Sequence, residues 1–184
     1  MQVKETGFEG LYEIIPSVYA DDRGWFFECY KEEVIRKYNI PTHFPQENMS
    51  FSKKGVIRGM HFQRAPYAQG KLVSVIKGRV IDVAIDLRPG SVTFGKTYYC
   101  ELDDKRHNML MVPEGFAHGF AALEETIFQY KCTNVYKKEC ESGIVWNDPE
   151  LKIEWPFSSP IVSEKDLNLP TFSELLGKSV ISKV

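Results

Sequence analysis

The sequence predicts a mainly β fold of the sandwich or barrel type, with helix confined to short peripheral segments. Two observations carry this. Aromatic residues make up 13% of the chain, with nine Tyr and twelve Phe, and such side chains suit pleated surfaces. Many short strand-like runs also follow one another between Gly and Pro turns, the pattern of a sandwich or barrel. A length of 184 residues suits one domain, and an apolar share of 43% is enough for a core.

Taken in order, Trp25 to Tyr30 reads as a strand and Lys31 to Tyr38 as a helix. Gly55 to Gln63 reads as a strand with Gly59, His61 and Gln63 on one face and Met60 and Phe62 on the other. The clearest pair is Lys71 to Ile76 and Arg79 to Leu87. In the second run Ile81, Val83, Ile85 and Leu87 share one face, and Asp82 and Asp86 fall on the other. That is period two, a strand with one polar face. Lys77-Gly78 reads as a two-residue hairpin turn between them, and Arg88-Pro89-Gly90-Ser91 as the next turn. Further strands are expected at Thr97 to Leu102, Asn108 to Val112, Phe116 to Leu123 and Thr126 to Thr133, with a weaker helix at Thr171 to Leu176. Alternation of inward and outward residues in such a fold offers a lined interior for a ligand.

Composition excludes several functions. A net charge of -2 and the lack of any polybasic run argue against nucleic-acid binding. No stretch approaches the roughly 20 apolar residues that span a bilayer. Met1 to Gly10 lacks the apolar core of a signal peptide. Cys29, Cys100, Cys132 and Cys140 form no C-x-x-C pair, so a structural zinc site is not expected and the thiols are read as reduced, in a cytoplasmic protein.

Four histidines are candidates for chemistry: His43, His61, His107 and His118. A histidine read alone is more often structural than catalytic. His61 lies on the glycine-flanked polar face of its strand, where glycine often marks close approach by a ligand; a part-exposed edge strand would look the same. His118 ends the spacing P-x-G-x-x-H in Pro113 to His118, which is similar to the second half of the cupin pattern. The first half of that pattern wants two histidines and a carboxylate, but Gln63 stands at the second histidine and Tyr67 and Ala68 near the carboxylate. Two histidines and an amide make a poor ligand set, so the reading is a cupin barrel without its metal. From pattern alone Tyr130 is a core tyrosine and Asp166 a surface carboxylate.

Together these blocks resemble the dTDP-4-dehydrorhamnose 3,5-epimerase family, from about Gly7 to Pro170. The resemblance rests on Asp22 to Glu28, Gln46 to Ser52, Gly55 to Gln63, Ala68 to Val73, Asp86-Leu87-Arg88, Phe94-Gly95, Pro113 to Phe120, Tyr130-Lys131, Gly143 to Pro149 and Ser163 to Asp166, in that order and spacing. It implies a cupin-type jelly roll (a double-stranded β-helix) that acts as a homodimer with no metal and no cofactor. It implies one domain: an N-terminal segment of about 1–50 that reaches the neighbouring subunit, a barrel of about 51–150, and a segment of about 151–184 closing over it. It matches His61 to the general base, Asp166 to its carboxylate partner, Tyr130 to the general acid, and Lys71 and His118 to the sugar pocket. Arg23, Glu28, Gln46, Asn48 and Arg58 match positions around the nucleotide. Phe26 would act across the dimer interface, and Lys165 lies in the same motif as Asp166, on the substrate side.

The chemistry suits these residue types. A 4-keto group acidifies the hydrogens on C3 and C5, so inversion needs a base on one face, a group that holds the enolate oxygen, and an acid on the other face. Histidine suits the base role because its unperturbed pKa is about 6.5. A carboxylate on the other ring nitrogen fixes the tautomer, a lysine holds the enolate, and arginines match a diphosphate. The expected substrate is a dTDP-linked 4-keto-6-deoxy-hexose. The alternatives are an epimerase acting at C3 alone, a metal-dependent cupin enzyme, or a sugar-binding jelly roll without catalysis.

Overall fold

A computed structural model describes residues 1–177; the expected C-terminal segment therefore lies outside the described residues from 178 onward. The strands are β1 (Gln2–Glu5), β2 (Tyr12–Ile15), β3 (Tyr19–Asp21), β4 (Gly24–Phe26), β5 (Gln46–Ser52), β6 (Ile57–Gln63), β7 (Lys71–Lys77), β8 (Arg79–Asp86), β9 (Thr97–Asp103), β10 (Met109–Val112), β11 (Phe116–Ala122), β12 (Thr126–Cys132) and β13 (Glu141–Gly143). The helices are α1 (Glu32–Arg36), α2 (Glu164–Leu167) and α3 (Phe172–Gly177).

Two antiparallel sheets face each other. One has the order β1-β2-β10-β7-β12-β5 and the other β13-β6-β11-β8-β9. From β5 to β8 successive strands alternate between the sheets, as in a jelly roll. Val73, Val80, Leu102, Leu110, Phe116 and Phe128 pack between them, each at most 2% exposed.

The expected hairpin at Lys77-Gly78 is overturned. β7 pairs with β10 and β12, while β8 pairs with β9 and β11, so the chain crosses from one sheet to the other there. Gly78 makes the crossing with φ +90°, and a Cβ on it would lie 2.4 Å from the carbonyl oxygen of Glu125. Only glycine fits that backbone and that approach. Its N–H donates to Asp104 Oδ2 at 2.7 Å.

The polar face expected on β8 is real in register but is not a solvent face. Ile85 and Leu87 pack with Met60, Ile153 and Phe172 on the outside of their sheet. Val80 and Ala84 point between the sheets, and Asp82 and Asp86 go with them, both fully buried. The C-terminal segment covers the outer face, so both faces of β8 are interior.

Other boundaries shifted too. The strand expected at Trp25 to Tyr30 shrinks to Gly24–Phe26, the second arm of a β3–β4 ribbon that forms its own sheet. The helix expected from Lys31 to Tyr38 is Glu32–Arg36, and the chain turns at Asn39 with φ +57°. β1, β2, β3, β5 and β13 were not read from the sequence.

Asp86 closes the β8 end. It accepts from Arg88 Nε at 2.9 Å and Nη2 at 2.7 Å, and from Ser91 Oγ and Thr93 Oγ1, each at 2.6 Å. Burial alone would raise this carboxyl, but the Arg88 guanidinium and the two hydroxyls outweigh it and hold it at about 2. An unfolded aspartate titrates near 3.9, so the depressed folded value stabilises the native state by on the order of 2 kcal/mol above that pH. This contribution is lost as pH falls from about 4 toward about 2. Asp86→Asn should therefore lower the melting midpoint at pH 7 by about 4–8 °C. The deficit against the native chain should shrink in melts toward pH 2, and a deficit that persisted unchanged there would contradict this account.

Candidate active site

His61 is presented by β6, whose local backbone is set by two glycines. Gly59 has φ +134°, and a Cβ on it would lie 2.6 Å from the Cα of Gly119 on β11. The two strands touch closely there, with His61 and His118 as cross-strand partners. The C-terminal segment brings Asp166 to the same point. Ser163 caps α2 by accepting from the Asp166 N–H at 3.1 Å. Asp166 Oδ1 lies 2.7 Å from His61 Nε2, and Oδ2 accepts from the Gly59 N–H at 3.2 Å.

The pair is asymmetric in exposure: the His61 side chain is 30% exposed and that of Asp166 is 5%. Burial works against ionisation of Asp166, but the His61 contact and charge, the Gly59 N–H and Ser163 outweigh it, so the carboxyl is held below its ordinary range. An ionised carboxylate accepts only, so His61 donates from Nε2 and Nδ1 is left for proton transfer. This is a base-and-orienter arrangement of the triad type.

Across the cleft stand residues of the other sheet. Lys71 on β7 donates from Nζ to the His61 carbonyl at 3.4 Å and lies 6.0 Å from the Tyr130 ring centroid. Burial pushes its pKa down, opposed by Cys132 and Asp82. Tyr130 on β12 is raised by burial, with further upward pressure from Cys132 and opposition from Arg58 and Asn48, so its hydroxyl keeps its proton. An imidazole with Nδ1 left open on one sheet thus faces a protonated phenol on the other.

Two connected hollows hold these groups. One of about 270 Å³ is lined by Ser50, Arg58, His61, Lys71, His118, Tyr130, Lys165 and Asp166. Another of about 280 Å³ shares His61, Lys71 and Tyr130 and adds Gln46, Asn48, Tyr136 and Glu141. The structure thus brings together His61, Asp166, Lys71, Tyr130, His118, Arg58, Lys165, Gln46 and Asn48. Arg58 is held by Ser52 Oγ at 2.9 Å and the Phe51 carbonyl at 3.0 Å. Gln46 donates to Asn48 Oδ1 at 3.1 Å and accepts the Tyr136 N–H at 2.8 Å.

Arg23, Phe26 and Glu28 are not brought to this cleft. Arg23 pairs with Asp21 and its side chain is 90% exposed. Phe26 is 67% exposed on the β3–β4 ribbon, and Glu28 pairs with Lys31. The physical reason is reach: the ribbon pairs with neither main sheet. It carries Trp25 onto His107, with centroids 4.4 Å apart, on the outer side of the six-stranded sheet.

Gln63, at the place of a second cupin histidine, has its amide committed to backbone. It donates to the Tyr67 and Val135 carbonyls at 2.8 and 3.2 Å and accepts the Lys137 N–H at 2.6 Å. Among the described residues no group of three or more His, Cys, Asp or Glu is placed to hold a metal.

Three site residues escaped the sequence reading. Glu141 accepts from Lys165 and from the Tyr136 hydroxyl; burial raises its carboxyl, and those two contacts outweigh it and lower it. β13 is too short to show a period, and that hid Glu141. Tyr136 lies beside it in a loop. Asp82 on β8 was visible in the alternation, but its partner was not: His118 Nε2 lies 2.9 and 3.0 Å from its two carboxylate oxygens.

The family model for dTDP-4-dehydrorhamnose 3,5-epimerase matches residues 5–174. A dTDP-4-dehydrorhamnose 3,5-epimerase of Escherichia coli K12 is 43% identical over 185 residues, covering 99% of this chain and 100% of that one. The crystal structure of a dTDP-4-dehydrorhamnose 3,5-epimerase from Elizabethkingia anophelis superposes with a TM-score of 0.90 at 45% identity, over 95% of this chain and 97% of that one. A dTDP-6-deoxy-D-glucose-3,5-epimerase from Legionella pneumophila, solved in complex with dTDP-4-keto-L-rhamnose, superposes with a TM-score of 0.88 at 39% identity, over 94% and 93%.

The half-buried ammonium of Lys71 carries a stability cost. A lysine with a depressed folded pKa destabilises the fold in its charged form, a cost that is fully present below that pKa, falls as pH rises between it and the unfolded value, and vanishes above the unfolded value. Replacing it by an apolar chain is then neutral to stabilising. Lys71→Met should raise the melting midpoint at pH 7 by about 2–4 °C, with the gain shrinking toward pH 10. A lower midpoint than the native chain at pH 7 would contradict this.

Proposed function

Since the chain belongs to the dTDP-4-dehydrorhamnose 3,5-epimerase family, we propose that it is an isomerase that inverts C3 and C5 of dTDP-4-dehydro-6-deoxy-D-glucose to give dTDP-4-dehydro-L-rhamnose. The observation that carries this is the 2.7 Å His61–Asp166 contact on one sheet, facing the protonated Tyr130 on the other.

In this reading His61 Nδ1 takes the proton from C3 or C5. The C–H electron pair becomes a carbon–carbon double bond, and the carbonyl pair moves onto O4. The Lys71 ammonium holds that oxygen, an interaction of the kind that lowers barriers by about 3–4 kcal/mol. Tyr130 then gives its proton to the same carbon from the opposite face. His61 and Tyr130 exchange the proton with solvent before the next cycle, so nothing is consumed and no redox step occurs. Asp166 stabilises the imidazolium formed in each cycle. Arg58, Lys165, Gln46 and Asn48 bind the nucleotide and diphosphate. His61→Asn should keep the fold while turnover falls by a factor of about 10³ or more; turnover like that of the native chain would remove His61 from the base role.

The same reading makes the enzyme a cytoplasmic homodimer. Its four cysteines are free thiols, and no helix among the described residues is long and apolar enough to cross a membrane. Exposed Phe26, Trp25 and Tyr19 on the β3–β4 ribbon, at 67%, 60% and 66%, fit a surface covered by a second copy. Arg23, Phe26 and Glu28 would then complete the partner's cleft. Co-expressed Arg23→Ala and His61→Asn chains should regain activity absent from either alone, because the mixed dimer holds one intact site. No regain from a verified heterodimer would place Arg23 outside the site.

A further inference from the structure

Asp82 sits where a carboxylate is costly. It is fully buried, on the inward face of β8 between Val80 and Ala84, among apolar side chains. An unpaired charge there would be strongly destabilising. Its two oxygens lie 3.0 and 2.9 Å from one atom, His118 Nε2. Near-equal distances to one nitrogen are those of a single N–H shared by an ionised carboxylate, which only accepts. Lys71 supplies a nearby positive charge. The His118 ring is itself buried, at 6% exposure, and stacks on Phe128 with centroids 6.3 Å apart, so its plane is fixed as well.

The cleft therefore contains two histidine–carboxylate pairs on adjoining strands, with His61 and His118 in register. They differ in surroundings. His61 is part-exposed and meets its carboxylate at the cleft wall. His118 is enclosed, and burial disfavours its charged form against the opposing pull of Asp82.

We propose that Asp82 is a positioning residue: it locks His118 as the neutral tautomer with the proton on Nε2, so that Nδ1 meets the sugar as a hydrogen-bond acceptor. An acceptor cannot hold the 4-keto oxygen or its enolate. It fits a hydroxyl of the sugar ring, and the ketone oxygen is left to the Lys71 ammonium. The two side chains thereby sort two kinds of oxygen and fix which way round the ring lies. The identity of the sugar rests on the epimerase reading; the tautomer does not.

The test has two parts. Imidazole ¹⁵N spectra of the labelled native protein at pH 7 should show His118 with Nε2 protonated and Nδ1 bare, and Asp82→Asn should mix the tautomers, since an amide can donate or accept. Kinetics on the same variant should show KM for the nucleotide sugar rising about tenfold, the loss of one hydrogen bond, with kcat within a factor of about three. A native spectrum with Nδ1 protonated, or a doubly protonated ring, overturns the proposal whatever the substrate is. A fall in kcat at unchanged KM overturns it by making His118 part of the proton chemistry. Should Asp82→Asn fail to fold, the native spectrum alone decides. Should the native protein turn over no nucleotide 4-keto sugar, the epimerase reading fails while the spectrum still judges the tautomer.

Discussion

The contact between His61 and Asp166 ties together parts of the chain that are 105 residues apart, and much of the site depends on it. It requires that β6 approach β11 closely enough for Gly59 and Gly119 to touch, which excludes any Cβ at either position. It also requires that the segment after β13 return across the outer face of the five-stranded sheet, where Ile153 and Phe172 join Met60 and Leu87. That apolar packing places Ser163, and Ser163 caps the short α2 so that Asp166 faces inward. A hydrophobic face, a capped turn and a glycine contact thus fix one donor–acceptor distance. Preorganisation of this kind is what a general base needs.

A second constraint is charge. The space between the sheets holds Lys71, His61, His118, Asp82 and Asp166, and charges in such surroundings must be matched locally. Asp82 and Asp166 each have a histidine partner, and Lys71 stands with Arg58 and Lys165 among the cations that line the cleft. This arrangement costs stability that an apolar core would not, and the Asp86–Arg88 closure and the three apolar clusters compensate for it. Local strain and unmatched charge at a site, offset elsewhere, are the usual form of such a compromise.

Legibility followed the physics of each segment. Arg79–Asp86 was readable because Ile81, Val83 and Ile85 alternate with the residues between them, and Phe116–Ala122 because it is a short run bounded by turn residues, although both faces of each strand are covered. Lys77-Gly78 was misread as a hairpin because a local turn signal does not say which sheet the next strand joins; Gly78 turns the chain between sheets instead. Gln46–Ser52 was missed as a strand since its inward row is Gln, Asn, Ser and Ser, a polar row that serves the cleft and breaks the hydrophobic period. His61 and His118 stood out by motif, but Asp82 looked like a solvent-facing carboxylate until the second covered face of β8 was seen. Asp166 became significant only through the family resemblance, as no local pattern links it to His61. Arg23, Phe26 and Glu28 carry no signal in a single chain because their proposed ligand lies in another copy.

In the proposed reaction two facing sheets carry a base and an acid for opposite faces of one sugar carbon. Proton exchange with solvent at that carbon is its most direct signature. The native protein, incubated with dTDP-4-keto-6-deoxy-glucose in deuterated water and followed by NMR, should place deuterium at both C3 and C5. Deuterium at C3 alone would contradict the two-carbon inversion, and a folded protein that exchanges neither carbon would contradict the account as a whole.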